Sequence, residues 1–400
     1  MLASGMRRVN EALLLGIVRE KGLVSRAELA RLSGLTKPTV SSQVANLIHR
    51  GVVREEGAGE PDERGGKPPK LLRFNANGGA LIAAEIGSVT IRVWLTDLDG
   101  NEIDSEVAAS RPELGAAQVL DDTNSAIQAI LGRGRGRKQR LFAAAIAAPG
   151  RVDANTGAVL EAGNVFHWRD VAVRDYFERA LRVPVRVEND VNLSAVGEMH
   201  SGLAQGVQNF ALIRLGTGIG AALVLGGRLY QGDHWAAGEI GHMIFGRNTA
   251  YQEASERGHL ELAVGSDRLR ARVQSGLALP SGVSLSRWLG EALRRNDPAA
   301  AAIIDELAGE ISLAVTNLAV VIDPELIVLN GEMFELAFDR IRELVGRVVP
   351  WPVRVEQSAL GDHAVLLGAA SMARSLAHDL ICGPVRSDTQ TEATRVRLRI

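Results

Sequence analysis

The chain has 400 residues, 46% hydrophobic and 23% charged, which allows two or three domains with their own cores and excludes a disordered or fibrous protein. Its formal net charge of -2 hides an asymmetry: residues 1–77 hold 13 Lys+Arg against 8 Asp+Glu, and the remainder 32 against 39. A basic head on an acidic body suggests that the head meets a polyanion.

In the head, Val9, Leu13, Leu14, Ile17 and Val18 recur at helical spacing and predict a first amphipathic helix ended by Gly22. Ser25 is placed to cap a second helix, SRAELARLS, with Glu28 completing a capping box. Gly34-Leu35 makes a tight turn, and Thr36 caps a third helix, KPTVSSQVANLIHR, with Pro38 in its first turn. The spacing predicts a helix-turn-helix. Val40, Val44, Leu47 and Ile48 form the apolar stripe of the third helix. Lys37, Thr39, Ser41, Ser42, Gln43 and Asn46 are read as its outer face, polar and small enough to reach base edges in a major groove. GVVREEG and KLLRF then read as a two-stranded wing, whose Arg64, Lys67 and Lys70 could lie along phosphates. Residues 1–77 are thus expected to be a winged helix-turn-helix DNA-binding domain. The competing reading is a small dimerisation bundle with a solvated polar face.

After the turn-rich stretch 75–79, strands alternate with helices: a hairpin LIAAEI/TIRVWLTDL, a helix over 116–131, and a buried strand LFAAAIAA. A second hairpin, NFALIRLGTGIGAALVLGGRLYQG, repeats the plan. A helix ending near Val321 leads to the strand IVLNG (327–331). An internally duplicated α/β body over 78–400, with a cleft between two lobes, is predicted. The run GRGRGRK (132–138) is read as a solvated loop.

The motifs APGRVD (148–153), GNVFHW (163–168), VENDVN (187–192), LGTGIG (215–220), AGEIGHM (237–243) and GHLE (258–261), in this order, resemble those of the ROK family (repressors, open reading frames, kinases). With the winged helix in front, the whole is similar to that family's sugar-responsive regulators of the xylose or N-acetylglucosamine type. The resemblance implies an actin-like sugar-kinase fold, and it implies sugar contacts at Asn164, Asn189, Asp190, Glu239, His242 and Glu261. Carboxylates, amides and imidazole fixed in a cleft suit sugar hydroxyls. In the family's kinases the position of Asp190 is the general base; in a regulator it would only accept a hydrogen bond.

At the phosphate side, Gly216, Thr217, Gly218 and Gly220 form an intact loop able to wrap a phosphate. Yet Glu85 and Val89 stand where the kinases have Asp and Thr, and Glu332 follows Asn330-Gly331 where they have a Gly-Gly pair. The family's structural zinc is expected to be absent, because Gln252, Ala254 and His259 occupy cysteine positions. No other cofactor is expected. The sequence thus predicts a repressor binding an inverted-repeat double-stranded operator, with a sugar or sugar derivative as effector, as a homodimer or dimer of dimers. The alternative is an ATP-dependent sugar kinase using Asp190. The single cysteine, Cys382, the lack of a signal-like start and the absence of an apolar run near 20 residues point to a cytoplasmic protein without membrane partners.

Overall fold

The computed structural model describes residues 2–59, 68–134, 139–163, 168–245, 258–265, 269–271, 273 and 283–382. Helix α1 (Leu2–Lys21) turns Leu14, Leu15 and Val18 inwards and stops before Gly22, which lies at φ 72°. Helix α2 (Arg26–Ser33) is capped by Ser25, whose Oγ accepts from Glu28 N at 3.2 Å, and ends on Gly34 in the left-handed region. Thr36 caps helix α3 (Lys37–His49), with Pro38 in the first turn. Strand β2 (Val53–Ala58) pairs antiparallel with β3 (Lys70–Phe74), whose other edge takes the two-residue strand β1 (Val24–Ser25).

Two five-stranded sheets of one plan follow. In the first, β4 (Ala80–Ile86), β5 (Thr90–Thr96) and β6 (Glu102–Ala109) form an antiparallel meander; β7 (Leu141–Ala148) and β11 (Val185–Asn189) extend it in parallel. In the second, β12 (Phe210–Leu215), β13 (Ile219–Leu225) and β14 (Arg228–Tyr230) form the meander; β15 (Leu326–Asn330) and β16 (Arg354–Gln357) extend it in parallel. The strand orders β11-β7-β4-β5-β6 and β14-β13-β12-β15-β16 match position for position, the duplication that the two hairpins predicted. Parallel strands joined by crossover helices are covered on both faces, and β4 and β15 are accordingly buried along their whole length. The crossovers are α4 (Ala116–Gly132) and α5 (Val173–Leu181) in the first sheet, and α9 (Pro298–Ile322) and α10 (Glu332–Val348) in the second, with α8 (Leu285–Arg294) packed against them. A small antiparallel sheet of β8 (Arg151–Asp153), β9 (Ala158–Ala162) and β10 (Trp168–Val171) was not foreseen.

Helix α6 (Asp190–Ser201) crosses α11 (His363–Cys382) at very short range. A Cβ on Gly197 would stand 2.1 Å from Ala364 O, and one on Gly368 1.9 Å from Leu193 O, so only glycine fits at this crossing. Residues His363–Ile381 are long and apolar enough to cross a bilayer. In the fold Val365, Leu366, Ala369, Ala373, Ala377 and Ile381 are buried in the cluster shared with α1, β4 and β7, while Leu380 is exposed.

The apolar core does not stop at residue 77. Buried residues from Leu14 to Leu72 join Leu81, Phe142 and Val365 through Ile381 in one continuous cluster. The connection is packed as well: Asn75 Nδ2 donates to Gly51 O at 2.8 Å, and Leu98 N to Ala76 O at 3.0 Å. The first three helices are therefore seated on the body, with α1 against α11.

Candidate functional site

The turns of the two matching hairpins, β4–β5 and β12–β13, face each other across a cleft of about 380 Å³. Asn189 builds one wall. Its Oδ1 accepts from Val191 N at 2.9 Å and Asn192 N at 3.0 Å, capping α6, while Nδ2 donates to Gly150 O at 2.8 Å. Asp190 is thereby set in the first turn of α6, where the helix dipole favours a carboxylate. Beneath it, buried Glu188 accepts from Asn189 N and Asn192 Nδ2, both at 2.9 Å, and burial pushes its carboxyl above the usual range. On the far side, Glu239 precedes a 3₁₀ turn (Ile240–His242), and Glu261 lies buried in the first turn of α7 (His259–Val264). Glu239 is exposed as a residue and lines the cleft wall. Desolvation raises its pKa, against the pull of His242 and Arg151. The strands of chain carrying the two glutamates touch: a Cβ on Gly258 would stand 2.0 Å from Gly241 O.

Of the expected sugar contacts, Asn189, Asp190, Glu239 and Glu261 line this one cleft. His242 sits beside it, at the exposed end of its turn. Asn164 lies outside the described residues. The amide of Asn189 also caps α6 and holds Gly150, so it positions Asp190 besides lining the cleft.

The phosphate side differs more. Among the loop residues, Gly216 N donates to Gly218 O at 2.9 Å, and Thr217 Oγ1 lies 2.8 Å from Ser88 Oγ of the opposite turn. Gly218 and Gly220 line the cleft with them. Glu85 is buried and paired with Arg92, while Arg214 reaches Asp190 at 3.1 Å and Glu85 at 3.4 Å. Burial pushes Glu85 above the usual carboxyl range, against both arginines. Arg214, Arg92 and Asp362 were missed by sequence reasoning. The available signal was an arginine within the otherwise apolar strand FALIRL, just before the glycine loop. Glu332 opens α10 and accepts from Ser284 Oγ at 3.1 Å and from Ser286 Oγ. Gln252 and Ala254 lie outside the described residues, and His259 is the first residue of α7. Among the described residues no group of three His, Cys, Asp or Glu is placed to hold a metal ion.

In the N-terminal part, the expected outer face of α3 is narrower than the sequence suggested. Lys37, Ser41 and Ser42 are exposed, and Thr39 is half-buried with its hydroxyl 2.8 Å from that of Thr36. Gln43 is a correction: it is buried. Asn46 is another. Its Nδ2 donates inwards to Glu11 Oε1 at 2.6 Å, because the buried Glu11 carboxylate needs donors and α3 supplies them. Exposed His49 continues the outer face and was not foreseen. Lys70 is exposed but paired with Glu55, which also takes Arg26 at 2.9 Å. Arg64 and Lys67 lie outside the described residues.

Two sheets of one plan, opposed across a carboxylate-rich cleft, define the two-lobed α/β architecture of sugar kinases and their relatives. The ROK family profile matches residues 81–376, and the chain belongs to the ROK family. It is 29% identical over 377 residues to the xylose repressor of Bacillus spizizenii, covering 92% of this chain and 95% of that one. It is also similar to a ROK family glucokinase from Streptomyces griseus solved with glucose and AMPPNP: TM-score 0.63, 29% identity, 74% of this chain and 99% of that one. A ROK family transcriptional regulator described as a homologue of the E. coli MLC protein superposes with TM-score 0.75 over 94% of this chain and 98% of its own, at 24% identity.

Proposed function

We propose that this chain is a DNA-binding transcriptional repressor whose ROK-family body binds a sugar or sugar derivative as effector. One observation carries the reading. The similarity to a repressor runs through the N-terminal part, covering 92% of the chain, whereas the similarity to the glucokinase covers 74%. The described geometry supports it. Two capped helices, α2 and α3, meet at Gly34, and the strands β2 and β3 that follow pair antiparallel, as the strands of a wing would. Lys37, Ser41, Ser42 and His49 lie on the free face of the second helix, the one that would enter a major groove. Residues 1–77 are read as the DNA-binding domain and 78–400 as the effector domain.

Within the cleft, Asp190, Glu239 and Glu261 are the sugar contacts in this reading, with Asn164, Asn189 and His242 as further candidates, Asn189 also holding Asp190 in place. One recognition helix spans a half-site, so the operator would be an inverted repeat bound by a dimer. A cytoplasmic location follows from a function on DNA. The rival reading, an ATP-dependent sugar kinase with Asp190 as general base, has against it the salt bridge from Arg214 to Asp190. The test selects bound duplexes from a random pool with the full chain and, in parallel, measures ADP release across common hexoses. Enrichment of an inverted repeat without hexose-dependent ADP release is the expected result. Hexose-dependent turnover without any enriched sequence would overturn the reading.

A further inference from the structure

Strand β12 carries one charge, Arg214, among apolar residues that are all buried. Its guanidinium is gathered by three carboxylates, from α6, β4 and the turn before α11: Asp190 at 3.1 Å, Glu85 at 3.4 Å and Asp362 at 3.7 Å. Glu85 belongs to the first sheet and Arg214 to the second, so the contact spans the cleft. The second oxygen of Glu85 accepts from Arg92 Nε at 2.7 Å, and Arg92 Nη2 donates on to Asp362 O at 3.0 Å. Beside this network the Ser88 and Thr217 hydroxyls meet at 2.8 Å, again from opposite turns.

A divalent ion carrying a nucleoside polyphosphate would need these carboxylate oxygens, a free Gly216–Gly218 loop and separated turns. None of the three is free. Asp190 and Glu85 already neutralise a guanidinium, Gly216 N is bonded to Gly218 O, and the turns are joined. Arg92 and Arg214 against Glu85, Asp190 and Asp362 also leave one net negative charge at this end, which repels phosphate.

We propose that Arg214 is a resident cation: it fills the place between Glu85 and Asp190 where a metal–nucleotide complex would sit, and it latches the two sheets together at that end of the cleft. The cleft then takes a ligand without a phosphate group and without a metal. The inference rests on the reading of the cleft as a sugar site that does not transfer phosphate. Asp190 thus serves as counter-ion to Arg214 while still lining the cleft.

The test is titration of the full chain with Mn²⁺ alone, and with Mn²⁺ plus ADP, followed by electron paramagnetic resonance and by thermal unfolding. Wild type should take up neither at this site. As placed around Arg214, Asp190, Glu85 and Asp362 do not form a metal-holding group. Arg214→Ala removes the guanidinium that spaces them, and the freed carboxylates should draw together and bind one Mn²⁺ at least about tenfold more tightly than wild type, with an accompanying rise in Tm. Adding Asp190→Asn should abolish that gain, which locates the ion. If Arg214→Ala does not fold, Arg214→Gln keeps the volume without the charge and should show the same uptake. Mn²⁺–ADP binding by wild type as tight as by the variant, or no Mn²⁺ uptake by either variant, would overturn the proposal. Neither result depends on operator or sugar, so this inference and the repressor reading can fail separately.

Discussion

Glu11 is the most deeply buried charge among the described side chains of the N-terminal helices, and replacing it tests how α3 is held. Its side chain is 4% exposed. Its carboxylate accepts from Asn46 Nδ2 at 2.6 Å, Arg50 Nη1 at 3.1 Å and Arg7 Nε at 3.4 Å. Arg50 also donates to Ile381 O at 3.1 Å, tying the end of α3 to the end of α11. Glu11→Gln keeps the volume, removes the charge and sets an NH₂ group against either Asn46 or Arg50. A hydrogen bond to a buried charge contributes about 1.5–3 kcal/mol, and an exposed pair such as Arg7 contributes close to nothing. Arg50 keeps some access to water, so the loss should be about 2–3 kcal/mol rather than the sum of two full bonds. At 1.4 kcal/mol per factor of ten, α3 should open roughly 30–150-fold more often. Amide hydrogen exchange of the full chain, read on peptides from α3 and from β4 and β7, measures this directly. The α3 peptides should exchange faster by that factor while the sheet peptides stay as in wild type. An α3 rate within about threefold of wild type would refute the claim that Glu11 holds this helix.

Lys37→Ala should weaken binding to a selected duplex and lower the slope of log K against log salt by about one, whereas Ser42→Ala should change which bases are preferred; fluorescence anisotropy across a salt series separates the two. His378 of α11 has its pKa lowered by burial and by nearby Arg19 of α1, with Asp379 opposing. A histidine with a depressed folded pKa makes its full contribution above the unfolded value near 6.5 and loses it as pH falls through the folded value. Acidification below about pH 6.5 should therefore loosen the α1–α11 contact, and His378→Gln should flatten that part of the melting-temperature profile.

Local signals carried most of the fold. Caps at Ser25 and Thr36, glycine stops at Gly22 and Gly34, and the two hairpins all lie where sequence periodicity and turn chemistry put them. What was not legible depends on partners far along the chain. Asn46 and Gln43 looked like groove-facing polar residues because the acceptor for Asn46, Glu11, lies 35 residues away. Asn189 was legible as a cleft residue, but its role as a cap was not. Arg214 was passed over although a charge in a buried strand demands a partner; its partners come from positions 85, 190 and 362, which only the folded sheets bring together. The core shared across residue 77 was hidden for the same reason, since α11 reaches α1 from the other end of the chain.

The central claim is that a ligand in the cleft changes how the N-terminal helices hold DNA. The measurement is a titration of the full chain onto a selected inverted-repeat duplex, by fluorescence anisotropy, with and without each of a panel of monosaccharides. It is repeated on Glu239→Ala and Glu261→Ala. Coupling between two sites of one protein is typically ~1–3 kcal/mol, so one sugar should change the operator Kd by about 5–150-fold in wild type. Both variants should bind the duplex as wild type does and show no change with that sugar. A sugar effect that persists undiminished in both variants, or a wild-type operator affinity that no monosaccharide alters, would contradict the account.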